Sequence, residues 1–338
     1  MKRAIPILVI CEIIFFGLMA REVDTWYQYA AVHRMLRGEA IYRDFAYLQL
    51  PMIVLLYAPI LCLTGVTLMV GRWIGIAWGI ATYWLSRKIA PRFALDMVWL
   101  CFFAPIALLC QFETKSYAAS FFMVFLVWCH RAKWHKTAAL SSGILGLMKL
   151  TYMPLGLFYL ALNPSWPFAL IYAGTILGGL GYFYWLAGAS FVTLAFKTLP
   201  QIVVAHPDGS YRLFGYWSTR AIFKTTFRLL VEFPVLYDLP LAFFSWVVFV
   251  STIPPGGGST DYAMPYIPLA MLFFAMRFKF RFRWQYIVLI LAYNLNLMSN
   301  MGVNLRQLFS GYSYWEWRHM EDFPTWDKQL DLPFVCNF

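Results

Sequence analysis

Three carboxylates and three cations have the side chains best suited to chemistry in this sequence: Asp24, Asp44 and Glu113, and Arg43, Lys115 and Lys149. A well-placed carboxylate can take a proton from a hydroxyl, which typically contributes about 10²–10⁴-fold in rate. Arg grips a phosphate bidentately, and Lys offers a point charge. Each residue also has a plainer role open to it. Asp24 can cap the helix that follows it, Asp44 can simply pair with Arg43, and Glu113 can be a solvated loop acid. Lys149 is flanked by apolar residues, a position that costs about 2.5–3.5 kcal/mol at mid-membrane, but its long stem can snorkel to the surface. The residues alone leave both readings open. His206 lies in the turn signature His206-Pro207-Asp208-Gly209 and reads as a loop residue. Glu12, inside the first apolar block, reads as a helix-packing acid. No His, Cys or Asp cluster has metal-ligand spacing, so no metal or other cofactor is demanded.

The elements that must position these residues are read from composition. Of 338 residues, 61% are hydrophobic and only 13% charged, against roughly 25% charged in soluble domains. Mean hydropathy is +0.62. The apolar residues come in blocks close to the ~20 that a helix needs to cross the hydrocarbon core. Many Trp and Tyr sit at block ends, as an interfacial belt requires. The net charge of +11 is spread over short clusters between blocks. That pattern follows the positive-inside rule and excludes the single basic patch of a nucleic-acid binder. The six cysteines include no CxxC pair, and five lie in apolar blocks or at their ends, so they read as small buried hydrophobes.

The reading along the chain is an all-α, polytopic transmembrane protein, a single transmembrane domain over 1–338. Lys2 and Arg3 precede a first span over 4–20, read as a retained signal anchor with its start in the cytoplasm. Residues 21–66 form an external amphipathic loop. Within it, Asp24 to Arg37 has Trp26, Tyr29, Ala30, His33 and Leu36 at helical spacing, with Gly38 to end the helix. Pro51 to Leu63 is apolar but short, and is expected to lie at or within the outer interface without crossing. Spans are expected at 66–86, 93–110, 115–129, 137–149, 152–162 and 168–187. A polar external loop follows from Ser190 to about Arg228. Further crossings are placed within 211–235, 236–253, 263–276 and 285–301, leaving a short external tail over 302–338. The total is about eleven spans, with the basic clusters at 87–92, 130–136 and 277–283 inside.

The order of these features resembles the GT-C fold glycosyltransferases. An acid, Asp24, follows the first span; an amphipathic helix comes next. Then come Gly38, Tyr42, Arg43, Asp44 and Phe45 in a Gly-x-x-x-Tyr-Arg-Asp-Phe segment, and Pro51 opens a short apolar helix. The nearest likeness is to the branch using polyprenyl-phosphate sugars, with the lipid A aminoarabinose transferases and relatives of the protein O-mannosyltransferases. Gly71-Arg72 at the second span, Glu113 in the second external loop, Leu147-Met148-Lys149, and the run Asp261 to Pro268 extend it over most of residues 1–270. Order and spacing carry the resemblance, not any single motif. One departure stands out: some relatives have Lys immediately before the proline, where this chain has Gln49-Leu50.

The resemblance implies an inverting transfer of a monosaccharide from a polyprenyl-phosphate donor to an acceptor hydroxyl. It would take place on the external face of a bacterial or archaeal cytoplasmic (inner) membrane. Asp24 would be the base, with Asp44 and Glu113 beside it. Arg43, Lys115 and Lys149 are the cations available to the donor phosphate in place of the missing lysine. The acceptor would be a lipid, glycan or protein, and a partner membrane protein could supply its binding surface. Two other classes compete: a non-catalytic flippase or transporter of lipid-linked sugars, and a structural membrane subunit of a larger assembly. A transporter is expected to show two related halves with broken spans, and no such symmetry is visible. A structural subunit gives no reason to gather carboxylates and cations in one external loop.

Overall fold

A computed structural model of the chain describes residues 4–19, 25–45, 47, 50–65, 68–109, 114–149, 152–198 and 267–277. Among these residues the secondary structure is helical with no strand; an isolated bridge joins Ile41 and Phe45. The all-α expectation therefore holds for the described residues. The helices are α1 (Ile5–Met19), α2 (Thr25–Leu36), α3 (Met52–Thr64), α4 (Leu68–Ile89), α5 (Arg92–Leu109) and α6 (Thr114–Arg131). They continue with α7 (His135–Met148), α8 (Met153–Leu162), α9 (Trp166–Ala187), α10 (Ala189–Val192) and α11 (Ile267–Arg277), and a π-helical turn, Thr193–Thr198, follows α10. The expected crossings within 211–235, 236–253 and 285–301, His206, and the tail over 302–338 lie outside the described residues.

The chain divides into two compact units. The first comprises Met1–Thr25, Leu68–Val124 and Ala263–Asp322. In it α1 packs on α4 and α5, and α11 packs on the same two helices. α1 and α4 come close at Gly79, where a Cβ would sit 3.2 Å from Ile13. Small residues let helix backbones approach in this way. Arg72, only 1% exposed, donates from α4 to the carbonyls of Gly17 and Leu18 at the end of α1. These acceptors belong to the last turn of a helix, whose carbonyls have no partner within it. At the far end of α4, Asp96 of α5 is buried. It accepts from the Tyr83 hydroxyl at 2.7 Å and pairs with Arg87 at 2.8 Å. The Arg87 guanidinium lies over the Trp84 ring at 4.9 Å. A buried carboxylate persists only when paired and hydrogen-bonded, and this one is both.

The second unit comprises Trp26–Thr67, Phe125–Tyr262 and Phe323–Phe338. Its centre is α7, which packs on α9, α8 and α3. The α7 sequence is rich in small residues, and Ala138, Ala139, Ser141, Ser142, Gly143 and Gly146 are buried in it. A Cβ on Gly143 would lie 2.6 Å from Thr175 of α9. The two helices meet backbone to side chain there, and any larger residue would force them apart. Tyr172 ties α9 to α8 by donating to the Met153 carbonyl at 2.6 Å.

Of the described helices, α9 alone is long and apolar enough by composition to cross a membrane. Its 22 residues give about 33 Å at 1.5 Å per residue. Trp166 and Trp185, near its two ends, are 74% and 76% exposed, with Leu170 and Leu177 also exposed between them. Past Gly188, whose φ of +59° ends α9, the chain stays helical to Thr198. The sequence reading placed an external loop from Ser190. Within this helical stretch Phe191 and Ala195 are both buried.

Candidate functional site

α2 begins at Thr25 and ends at Leu36, close to the limits that its apolar spacing predicts. Gly38 has φ +91° and closes a Schellman motif. The Gly38 N–H donates to the Met35 carbonyl at 2.9 Å, and the Glu39 N–H donates to the Arg34 carbonyl at 3.2 Å. The Glu39 carboxylate then takes the Arg34 Nε–H at 2.6 Å. Arg34 also lies over the Phe45 ring, 5.0 Å from its centre. Arg34 therefore binds the turn that follows its own helix in two ways.

That turn presents the Tyr-Arg-Asp-Phe segment. Tyr42 and Phe45 point inward and are buried, whereas Arg43 and Asp44 are exposed. The Tyr42 N–H donates to the Phe45 carbonyl at 2.8 Å, and the Tyr42 ring packs on Phe191 at 5.3 Å. Tyr42 has φ +68°, a left-handed conformation that a bulky residue rarely adopts. Burial of its ring holds it there. Asp44 braces the turn from within, because its Oδ2 accepts the Ala40 N–H at 2.7 Å.

Arg43 and Asp44 form a two-point pair, Nε to Oδ1 at 3.0 Å and an Nη to Oδ2 at 2.8 Å. The hydrogen bond from Arg43, seconded by that from the Ala40 N–H, lowers the Asp44 pKa from its usual 3.8 to about 2. The hydrogen bond to Asp44 raises the pKa of Arg43 in turn. Asp44 is thus a weak base while the pair is closed. The guanidinium fork that holds it has the geometry that also suits a phosphate.

Beneath the turn, Pro51 leads into the thirteen-residue α3. A small apolar crevice is lined by Met35, Ile41, Tyr42, Pro51, Leu55, Phe183 and Leu186. Lys149 caps α7 in an extended conformation, and its carbonyl accepts the Tyr152 N–H at 2.9 Å. It is half-buried at the α7–α8 connection, the hairpin tip that the sequence predicts.

Of the residues singled out by sequence, Arg43, Asp44 and Lys149 all belong to the second unit. Asp24 and Glu113 lie outside the described residues, and of Lys115 only its place in the first turn of α6 is described. Sequence reasoning missed Arg34 and Glu39 as the pair that locks the turn. Their spacing across a helix-ending glycine was the available signal. It also missed Gln28, which is buried at 1% exposure. Among the described residues no group of three or more His, Cys, Asp or Glu side chains could hold a metal ion. Comparison of the chain with protein-family models, with curated proteins and with solved structures gives no match.

Proposed function

We propose that the chain is a polytopic membrane glycosyltransferase of the GT-C type. It moves a monosaccharide from a polyprenyl-phosphate donor to an acceptor hydroxyl at the outer face of a bacterial or archaeal cytoplasmic membrane. The observation that carries this reading is the turn after α2. Its aromatic members are anchored inward, and Arg43 is presented outward in a fork already occupied by a carboxylate. A lipid phosphate can take the place of Asp44 on that fork. The membrane part of the reading is supported by α9, with its spanning length, apolar exposed surface and Trp at both ends.

In the proposed reaction Asp24 accepts the proton of the acceptor hydroxyl as its oxygen bonds to the anomeric carbon. The bond from that carbon to the lipid phosphate breaks on the opposite side, so the configuration inverts. The phosphate leaves as an anion and needs cations more than it needs an acid. Arg43, Lys115 and Lys149 are the candidates. Glu113 and Asp44 complete the acidic set. Asp44 holds Arg43 in place until the phosphate arrives.

The test is sugar transfer by the purified protein reconstituted in liposomes, with polyprenyl-phosphate-linked sugars as donors. Asp24→Asn is expected to abolish transfer with expression intact, because Asn keeps the size and can still cap α2. Full transfer by that variant would remove Asp24 from the base role. Cysteine labelling supplies the topological half of the test: positions within 87–92, 130–136 and 277–283 should be unreactive from outside, and the exposed positions within 21–66, such as Arg37 and Arg43, reactive.

A further inference from the structure

We propose that Gln28 recognises the sugar, its side-chain amide pairing with two adjacent hydroxyls of the transferred monosaccharide. This inference rests on the glycosyltransferase reading and adds a residue that sets donor specificity.

Gln28 lies in the first half of α2 and is 1% exposed, and the four residues after it, Tyr29, Ala30, Ala31 and Val32, are fully buried. Five consecutive residues at 100° each sweep more than a full turn, so this half of the helix is enclosed on every side. The one-sided amphipathic helix expected from the sequence does not describe it. Enclosure leaves no water-facing side for an amide. Yet both Gln28 Nε2 and Oε1 are buried without a hydrogen-bond partner among the described residues. Buried polar groups are satisfied in the great majority of cases, and an exception calls for a specific explanation, of which a bound group is one. Leu would serve the same helix equally well, since its helix propensity matches that of Gln. The amide is therefore a liability to the ligand-free fold, and such local violations are expected where function requires them.

The two open atoms also select the ligand. The phosphodiester of the donor has only acceptors, so it would satisfy Nε2 and leave Oε1 facing negative charge. Adjacent hydroxyls both donate and accept, and they satisfy the two amide atoms together. Gln28 follows Asp24 by four residues in the sequence.

The experiment is thermal unfolding of the detergent-solubilised full chain. Wild type and Gln28→Leu are compared without ligand, with undecaprenyl phosphate, and with that lipid carrying glucose, mannose or arabinose. Wild type should be stabilised by the lipid phosphate and stabilised further by at least one sugar-bearing form. Gln28→Leu should melt roughly 2 °C or more above wild type without ligand. It should keep the response to lipid phosphate and lose the added response to sugar. Should Gln28→Leu fail to fold, Gln28→Met, unbranched and of the same length, is read by the same criteria. A variant that keeps the sugar increment overturns the inference, as does one that melts below wild type, because the amide is then satisfied by interior water. A wild type that responds to the lipid but to none of the sugars overturns it as well. A wild type that responds to no polyprenyl phosphate overturns the glycosyltransferase reading itself.

Discussion

Arg34 and Glu39 are joined twice across the end of α2: side chain to side chain at 2.6 Å, and Glu39 N–H to Arg34 carbonyl at 3.2 Å. The backbone bond needs only Gly38 in its left-handed conformation. The side-chain bond adds a charge-assisted contact that is partly shielded from water. Glu39→Gln keeps the shape and removes the charge. It should cost about 1–2 kcal/mol and raise protease sensitivity within 39–45, as read by thermal unfolding and limited proteolysis. Gly38→Val should cost more, because it attacks the backbone conformation on which both bonds depend.

The acid dependence of the turn follows from Asp44. Its pKa is lowered in the fold to about 2, so the unfolded chain takes up the proton first. The contribution of Asp44 is then fully present above the usual aspartate value and is lost as pH falls through about 2. Between pH 5 and 8 the Arg43–Asp44 pair should not change. Melting temperature measured at decreasing pH should show an acid-sensitive component in wild type that is missing in Asp44→Asn. A component that titrates near pH 6 instead would assign the sensitivity to another group.

Asp96 is predicted to be a stability residue, not a residue of the reaction. It is buried with Tyr83 and Arg87, and its two oxygens take both partners. Asp96→Ala leaves the Arg87 charge without its carboxylate and should cost about 3–5 kcal/mol. Tyr83→Phe removes one hydrogen bond and should cost about 1 kcal/mol. Thermal unfolding ranks the two, and any transfer activity should fall only in step with the folded fraction.

The glycines of the second unit should divide into two groups. Gly143→Ala places a Cβ 2.6 Å from Thr175 and should destabilise by about 1–3 kcal/mol through overpacking. Gly174→Ala and Gly178→Ala enter open space on α9. They should leave stability unchanged or raise it by up to about 1 kcal/mol, the difference in helix propensity. Melting temperatures of the three variants in one detergent decide the matter, and equal losses at all three sites would contradict the α7–α9 packing.

The sequence by itself determined the features that depend on near neighbours. Apolar blocks located α4 to α9 to within a few residues, because helix formation and termination are set by residues three or four positions apart. Gly38 ended α2 for the same reason, and Arg43 and Asp44 are adjacent in the chain, so their pairing could be read directly. Tertiary structure decided the rest. Arg72 meets the carbonyls of Gly17 and Leu18 more than fifty residues away, and no local pattern marks that partner. Asp96 looks like an isolated acid in an apolar block until α4 brings Tyr83 and Arg87 to it. The burial of Gln28 was hidden for a further reason. A helical wheel reports which faces of α2 are apolar, but whether the polar face meets water depends on what the rest of the chain packs against it.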